Sequence, residues 1–429
     1  MTRFDPADAL RGELRPPSDK SISHRAAILA AMGEGETDVE GYLDSADTRA
    51  TLTAISALGA RVVDRPAGDD SLSLRIGGVG LRGPAPAGID VANAGTLLRI
   101  LPGWLAGQGQ GSWELDGDES IRRRPVDRIA EPLRRMGAMV ECRDDRLPPL
   151  RIAGGRLRGI EHRLPVASAQ VKSCVLLAGL LADGETTVIE PAPSRDHTER
   201  MLAAAGVRIH LAGTSVTVES AEELRLGEVS VPGDFSSAAF WIVAATLIPN
   251  SEIRLSGVNL NETRTGLLPI LERMGAAVEA EPAGESGGEP AGTVVARHGP
   301  LRGTLVRGEE IPRAIDELPL VALAACFAEG ETRVIDAAEL RHKESDRIAT
   351  TVAALNALGA DAEELEDGFV VRGTGGLRGG AIDSDGDHRI AMLGAVAGLA
   401  SRERVDVRGI EAAEVSYPGF ERDLATLLA

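Results

Sequence analysis

One pattern runs through this chain six times: a polar motif, a helix of small residues, a polar turn and a β-branched strand. The turn and strand read GETDVEGYL near Gly35, GQGSWELDG near Gly109 and GETTVIEP near Gly184. They recur as NSEIRLSG near Asn250, GETRVIDA near Gly330 and RERVDVRG near Arg402. A second element alternates with them, a helix ending in glycine ahead of a strand. It appears as LTAISALGARVV, AEPLRRMGAMVE, TERMLAAAGVRI, LLPILERMGAAVE and TTVAALNALGADAE. Glycine in that place predicts a left-handed C-cap. Strands and helices alternating in this way predict an α/β (α+β) architecture. Each unit is about one-sixth of the chain, too long for ankyrin or TPR repeats, and neither terminus reads as a solenoid cap. At 429 residues the chain exceeds one ordinary core. The expectation is two similar globular domains of three units each. The segment EPAGESGGEPAG reads as a surface hairpin loop, and a hinge is expected near Pro232 and Gly233.

Charge narrows the partners. The formal net charge is −19, which disfavours non-specific attraction to nucleic acid or anionic lipid. Aromatics make up only 3%, too few for a base-stacking surface. Cys142, Cys174 and Cys326 lie far apart with no CxxC or Cys/His spacing, which argues against a disulfide framework and a zinc site. The start MTRFDPADALRGEL lacks a signal pattern, and runs such as CVLLAGLLA and WIVAATLI are too short to span a bilayer. The expectation is a soluble, cytoplasmic protein. No GxxxxGK[ST] and no GxGxxG after a strand occurs; GGVGLRG and GTGGLRGG read as hairpin turns.

The six buried helices begin at SDKSISHR, NAGTLLR, SAQVKS, DFSSAAF, IDELP and DHRIAM. Their Ser, Asp and Asn residues suit N-caps. Capping does not explain why Lys20, Arg25, Arg99, Lys172 and Arg389 crowd the same ends, because a cation there opposes the helix dipole unless an anion is present. Lysine itself is informative. Three of the 46 basic residues are lysine, at positions 20, 172 and 343, and all three fall in these motifs or in RHKESDR. Such retention suits places that need a compact ammonium rather than a planar fork. The loops DTR, IRRRP, SRDHTER, NETR and RHKESDR add further cations and a few carboxylates. If these ends face a common cleft, the site suits a substrate carrying phosphate and carboxylate groups.

From PPSDKSISHRAAILAA to VSYPGF, these motifs closely resemble the 5-enolpyruvylshikimate-3-phosphate synthase family of enolpyruvyl transferases. The resemblance implies two domains of three βαβαββ units, with helix N-termini facing the interdomain cleft. It places residues 15–233 in the first domain, and residues 1–14 plus 234–429 in the second. It implies transfer of the enolpyruvyl group of phosphoenolpyruvate to the 5-hydroxyl of shikimate 3-phosphate, by a monomer that needs no metal or organic cofactor. Carried over by motif, Lys20, Ser21, Arg25, Ser168, Ala169, Gln170, Ser194, Asp316 and Lys343 would meet shikimate 3-phosphate. Where Ala169 stands the family often has a second serine, so its backbone N–H would serve instead. Lys20, Gly95, Arg124, Gln170, Arg347 and Arg389 would meet phosphoenolpyruvate, with Asn93 and Thr96 supporting that loop. Asp316 is the candidate base for the 5-hydroxyl. Glu344 is the candidate acid for the methylene carbon, with Lys20 as rival or partner. Gly95, lacking a Cβ, would leave room for glyphosate, a known inhibitor of the family. Some members carry a lysine where Val415 stands here. Lys172 would support the substrate motif.

Two rival classes share such units. The enolpyruvyl transferase acting on UDP-N-acetylglucosamine usually has a reactive cysteine before its RP motif, and DGDESIRRRPVD has none. RNA 3′-terminal phosphate cyclase is disfavoured by the acidic charge and scarce aromatics. A non-catalytic anion receptor would gain nothing from Asp316 and Glu344 among its cations.

Overall fold

The computed structural model describes residues 1–68 and 70–428. They form two compact units. One, called here the N-terminal unit, is Ser18–Val231 with Ser286–Glu289. The other, the C-terminal unit, is Met1–Pro17, Pro232–Glu285 and the chain from Pro290 onward.

The N-terminal unit carries three four-stranded sheets of one design. In the second, Gly88–Asp90 pairs parallel with Ser112–Asp116, which pairs antiparallel with Leu147–Ala153 and, through it, Met139–Arg143. Helices occupy the two crossovers, so the chain order is βαβαββ. The third sheet repeats this with Glu161–Arg163, Thr186–Ile189, Ser215–Val218 and Ile209–Ala212. In the first sheet the parallel strand arrives last in sequence: Glu228–Ser230 pairs with Glu36–Leu43.

The C-terminal unit borrows strands in the same manner. Arg11–Leu14 pairs parallel with Glu252–Asn259, and Leu305–Val306 with Glu331–Val334. The sixth unit is abbreviated. Its sheet has three strands, with Thr2–Phe4 antiparallel to Val405–Arg408 in place of a hairpin. The chain then runs into the helix Phe420–Leu428.

Each unit has its own core around three apolar helices. These are Lys20–Met32, Gly95–Ala106 and Ala169–Gly179 in the N-terminal unit. Their counterparts are Phe235–Leu247, Leu318–Phe327 and His388–Ala400. Every residue of Phe235–Leu247 is buried, as expected of a helix apolar on all faces. Small residues let such helices touch. A Cβ on Gly103 would stand 2.1 Å from the Cys174 carbonyl oxygen, so two of the central helices cross backbone to backbone there. The second set of helices ends as the glycines predict: Gly59, Gly137, Gly206, Gly275 and Gly359 all lie at positive φ, between 87° and 113°.

Two glycine-rich readings change. GGVGLRG and GTGGLRGG are not hairpin turns but connections that lead from one sheet to the next. Their first free glycines crowd the C-terminal end of a central helix: a Cβ on Gly78 would lie 2.2 Å from Gly33 O, and one on Gly373 1.7 Å from Ala328 O. Close backbone approach, rather than a turn, is why glycine stands there. The segment EPAGESGGEPAG is mostly strand. Ala277–Ser286 and Glu289–Arg297 form a hairpin whose turn, Gly287–Gly288, has both φ values positive, as a two-residue type I′ turn requires.

Candidate active site

Six helix starts gather the candidate residues into two clusters, one in each unit. In the N-terminal unit, Asp19 caps the helix Lys20–Met32 by accepting from Ile22 N at 3.0 Å. Lys20 Nζ donates to Asp47 Oδ2 at 3.0 Å. Asp47 is itself fixed, because Ser45 and Thr48 form a capping box at the start of its helix. One turn further, Arg25 lies 3% exposed with its fork spread over neighbouring segments. Nε donates to Thr198 Oγ1 at 2.7 Å, one terminal nitrogen to Ser173 Oγ at 3.0 Å, and the other to Ser21 O at 3.0 Å. Burial pushes the Arg25 guanidinium down to about 10, with Glu199 opposing that shift and Arg195 adding to it. His24 is held well below its ordinary range by burial and by the neighbouring Lys20 and Arg25, so it is a neutral ring, within 2.6 Å of Thr51 Oγ1.

The second and third helix starts interlock. Gln170 donates to Thr96 Oγ1 at 3.1 Å and accepts from Arg99 at 2.9 Å, so both ends of its amide are fixed. Ser168 caps its helix through Val171 N, and Ala169 O accepts from Ser173 Oγ at 2.6 Å. Asn93 does not cap. The helix starts at Gly95 without a side-chain cap, and the Asn93 amide turns aside. Its oxygen accepts from Arg124 at 3.0 Å, and its nitrogen donates to Asp118 at 2.6 Å. A Cβ on Gly95 would lie 2.6 Å from the Arg124 guanidinium, so the glycine is what lets that fork sit at the helix start.

Lys172, expected at a helix start beside the substrate motif, is 2% exposed. It contacts Glu190 and Glu199. Ser194 lies beside this pair, with its hydroxyl donating to Glu190.

The C-terminal cluster is built of charge. Asp316, 11% exposed on its side chain, does not cap; Glu317 takes the N-cap position of Leu318–Phe327 without a side-chain cap bond. Instead Asp316 Oδ1 accepts from Lys343 Nζ at 3.3 Å and Arg347 at 3.1 Å. Arg264 and Arg389 approach Oδ2 at 3.7 and 3.8 Å. Both arginines also lie 3.7 Å from buried Glu317, which accepts from Ser236 Oγ. Arg264 further donates to Asp234 at 2.9 Å.

Arg347, almost fully buried, is ringed by carboxylates. It donates to Asp387 Oδ2 at 2.8 Å and Oδ1 at 3.2 Å, to Asp316 at 3.1 Å and to Glu344 at 2.5 Å. Four of its five N–H groups are thereby engaged. Burial alone would lower its affinity for a proton, but Asp387, Glu344 and Asp316 raise it. For Asp387 burial works against ionisation, yet Arg347 holds the carboxyl below the usual range. Asp387 also caps its own helix, through Arg389 N at 2.9 Å. Val415 sits half-buried at the end of the 3₁₀ helix Ile410–Val415.

The structure thus groups Lys20, Ser21, Arg25, Gly95, Arg124, Ser168, Ala169, Gln170 and Ser194 within one unit, and Asp316, Lys343, Glu344, Arg347 and Arg389 within the other. Sequence reasoning missed the partners: Asp47, Thr198, Glu190, Glu199, Arg264, Glu317 and Asp387. All but Glu190 stood in helix-start or loop motifs already singled out: Asp47 in DTR, Thr198 and Glu199 in SRDHTER, Arg264 in NETR, Glu317 in IDELP and Asp387 in DHRIAM. For Glu190 the available signal was a carboxylate directly after a strand, locked by prolines at 191 and 193. The cysteines offer no activated thiol among the described residues. Cys174 and Cys326 are buried, and burial pushes the Cys326 thiol up to about 12. No helix among the described residues is long and apolar enough to cross a membrane.

A family model described as EPSP synthase (3-phosphoshikimate 1-carboxyvinyltransferase) matches residues 4–424. A relative from Desulforudis audaxviator, named 3-phosphoshikimate 1-carboxyvinyltransferase, is 49% identical over 99% of each chain. One of the same name from a Synechococcus strain is 48% identical over 99% of this chain and 96% of that one. Among solved structures, an EPSP synthase from Acinetobacter baumannii superposes with a TM-score of 0.87 at 40% identity, covering 99% of this chain and 97% of that one. The enolpyruvyl transferase NikO from Streptomyces tendae has the same fold at 20% identity, with a TM-score of 0.78 over 99% of this chain and 96% of that one.

Proposed function

The chain belongs to the EPSP synthase family, and from that premise we propose how its residues divide the reaction. The reaction transfers the enolpyruvyl group of phosphoenolpyruvate to the 5-hydroxyl of shikimate 3-phosphate, giving 5-enolpyruvylshikimate 3-phosphate and phosphate. The 5-oxygen adds to C2 of phosphoenolpyruvate while the methylene carbon gains a proton. The tetrahedral intermediate then loses that carbon's proton and phosphate, restoring the double bond.

The single observation that carries the assignment is the setting of Asp316. Lys343 and Arg347 both donate to one oxygen of Asp316, which fixes the orientation of a carboxylate placed to accept a hydroxyl proton. In this reading Asp316 is the base and Lys343 steadies both it and the substrate hydroxyls. Glu344, held against Arg347, supplies the proton to the methylene carbon, with Lys20 as its rival or partner. Arg25, Ser21, Ser168, the Ala169 N–H and Ser194 receive the 3-phosphate, and Gln170 lies against the ring. Arginine forks match carboxylate and phosphate oxygens, which suits Arg124, Arg389 and the remaining N–H of Arg347 to phosphoenolpyruvate, together with Lys20, Gly95 and Gln170. Ser194 would turn its hydroxyl from Glu190 to the phosphate. The two units are taken as the two domains of the enzyme, which acts as a cytoplasmic monomer without metal or organic cofactor.

Phosphate release from phosphoenolpyruvate tests this directly. Turnover is expected with shikimate 3-phosphate and not with UDP-N-acetylglucosamine; the reverse preference would overturn the substrate assignment. Sedimentation gives the oligomeric state.

A further inference from the structure

We infer that Lys172 is a positioning residue for the phosphate-binding part of the N-terminal unit, holding Ser194 and the Arg25 network in place through Glu190 and Glu199. The inference rests on the proposed assignment of Arg25, Ser168, Ala169 and Ser194 to shikimate 3-phosphate, and it names what organises them.

An ammonium has three N–H bonds, and Lys172 has three acceptors. They are Glu190 Oε2 at 2.6 Å, Glu199 Oε1 at 2.7 Å and Ser194 O at 3.3 Å. These acceptors come from three separate places: the end of a strand, the loop after it, and the first turn of the helix His197–Ala204. Lys172 is 2% exposed, so the larger, planar guanidinium would have to displace packed neighbours to reach the same acceptors. That gives a physical reason for a lysine to survive here in a chain that otherwise uses arginine.

One branch runs to Ser194. Glu190 accepts from Ser194 N at 3.4 Å and from its hydroxyl, while Lys172 takes its carbonyl. All three polar groups of Ser194 are therefore set by one ion pair. Because Lys172 also compensates Glu190, that carboxylate stays satisfied when the serine hydroxyl turns to a phosphate. The other branch runs to Arg25. Glu199 fixes the helix turn that carries Thr198, and Thr198 Oγ1 accepts from Arg25 Nε while lying 2.6 Å from Ser173 Oγ. Ser173 follows Lys172 on the helix that presents Ser168 and Ala169. A buried ion pair that served only stability could be replaced by neutral groups at little cost. This one is tied to groups assigned to a single substrate group, the 3-phosphate.

The test is the neutral triple variant K172M/E190Q/E199Q, with K172R beside it. The triple variant removes the ammonium and both carboxylates together, so no unpaired buried charge threatens folding; K172R keeps the charge and changes only its shape. Circular dichroism and thermal melting establish folding. In a folded variant, KM for shikimate 3-phosphate is expected to rise about tenfold or more, the scale for lost hydrogen bonds to a charged group. The KM for phosphoenolpyruvate and kcat should stay within about threefold, and binding of shikimate without its phosphate should be unchanged. K172R should not rescue. The inference is overturned if either folded variant keeps a wild-type KM for shikimate 3-phosphate, or if shikimate and phosphoenolpyruvate weaken equally. It is also overturned if neither variant folds, which would make the cluster structural. Wild-type protein that fails to turn over shikimate 3-phosphate at all would instead bring down the substrate assignment on which the inference stands.

Discussion

The two clusters of candidate residues surround their cations in opposite ways. In the N-terminal one the arginines donate to neutral groups, Arg25 to two hydroxyls and a carbonyl and Arg124 to an amide and a hydroxyl, while Lys20 pairs with Asp47. The C-terminal one has already neutralised its cations, since Arg347 alone faces Asp387, Asp316 and Glu344. An incoming anion gains less from cations that carboxylates already occupy. What those carboxylates add is proton-transfer capacity, which hydroxyls and amides at neutral pH do not. Under the proposed assignments, the contrast leaves binding of the 3-phosphate to the N-terminal cluster and proton chemistry chiefly to the C-terminal one.

Substitutions at four positions would break or sharpen that contrast. The largest effect is expected from Asp316→Ala, with kcat falling by about 10²–10⁴-fold, the usual worth of a positioned base. Calorimetry should still find shikimate 3-phosphate bound; near-normal turnover would remove Asp316 from its role. Next is Asp387→Ala, which strips the best partner from a fully buried guanidinium and should cost about 3–5 kcal/mol of stability in urea unfolding. The pH dependence has a definite sign. The folded carboxyl of Asp387 lies below its ordinary value, so its contribution is present above about pH 4 and is lost as pH falls through the folded pKa. Asp387→Asn should flatten that acid limb.

Gly95→Ala comes third. Its Cβ would collide with the Arg124 guanidinium at 2.6 Å, displacing a fork rather than filling empty space. A rise of about tenfold in KM for phosphoenolpyruvate is expected, together with weaker competitive inhibition by glyphosate; equal inhibition of both proteins would contradict this. The smallest is Asn93→Ala, which loosens Arg124 by one hydrogen bond and should raise the same KM about three- to tenfold without touching kcat. A change in kcat instead would move proton chemistry into the N-terminal cluster.

Much of this arrangement is legible in the order of the residues. Six strand signatures and five helix-ending glycines lie within a few residues of the backbone events they cause, and all five glycines occupy left-handed conformations. Asp19, Ser168, Asp234 and Asp387 were legible as caps for the same reason, because the N–H groups they satisfy lie two or three residues away. The partners were not legible. Asp387 reaches Arg347 across 40 residues, Lys20 reaches Asp47 across 27, and Arg25 reaches Ser173 across 148. A charge has no periodicity that announces which distant charge it will meet. Glycine misled in GGVGLRG and GTGGLRGG, because such a run looks the same whether the chain must turn or must pass close to another backbone.

By itself, then, the sequence determined the repeat, the helix boundaries and the residue types gathered at helix starts, since all of these follow from steric and hydrogen-bonding rules acting over a few residues. It also determined that lysine at position 172 was worth keeping. Only the tertiary structure decided that this ammonium is buried between Glu190 and Glu199 instead of standing at the substrate, and that Arg347 is enclosed by carboxylates. The physical reason is that burial and ion pairing are set by which helices pack together, and that choice belongs to the whole core rather than to any one motif.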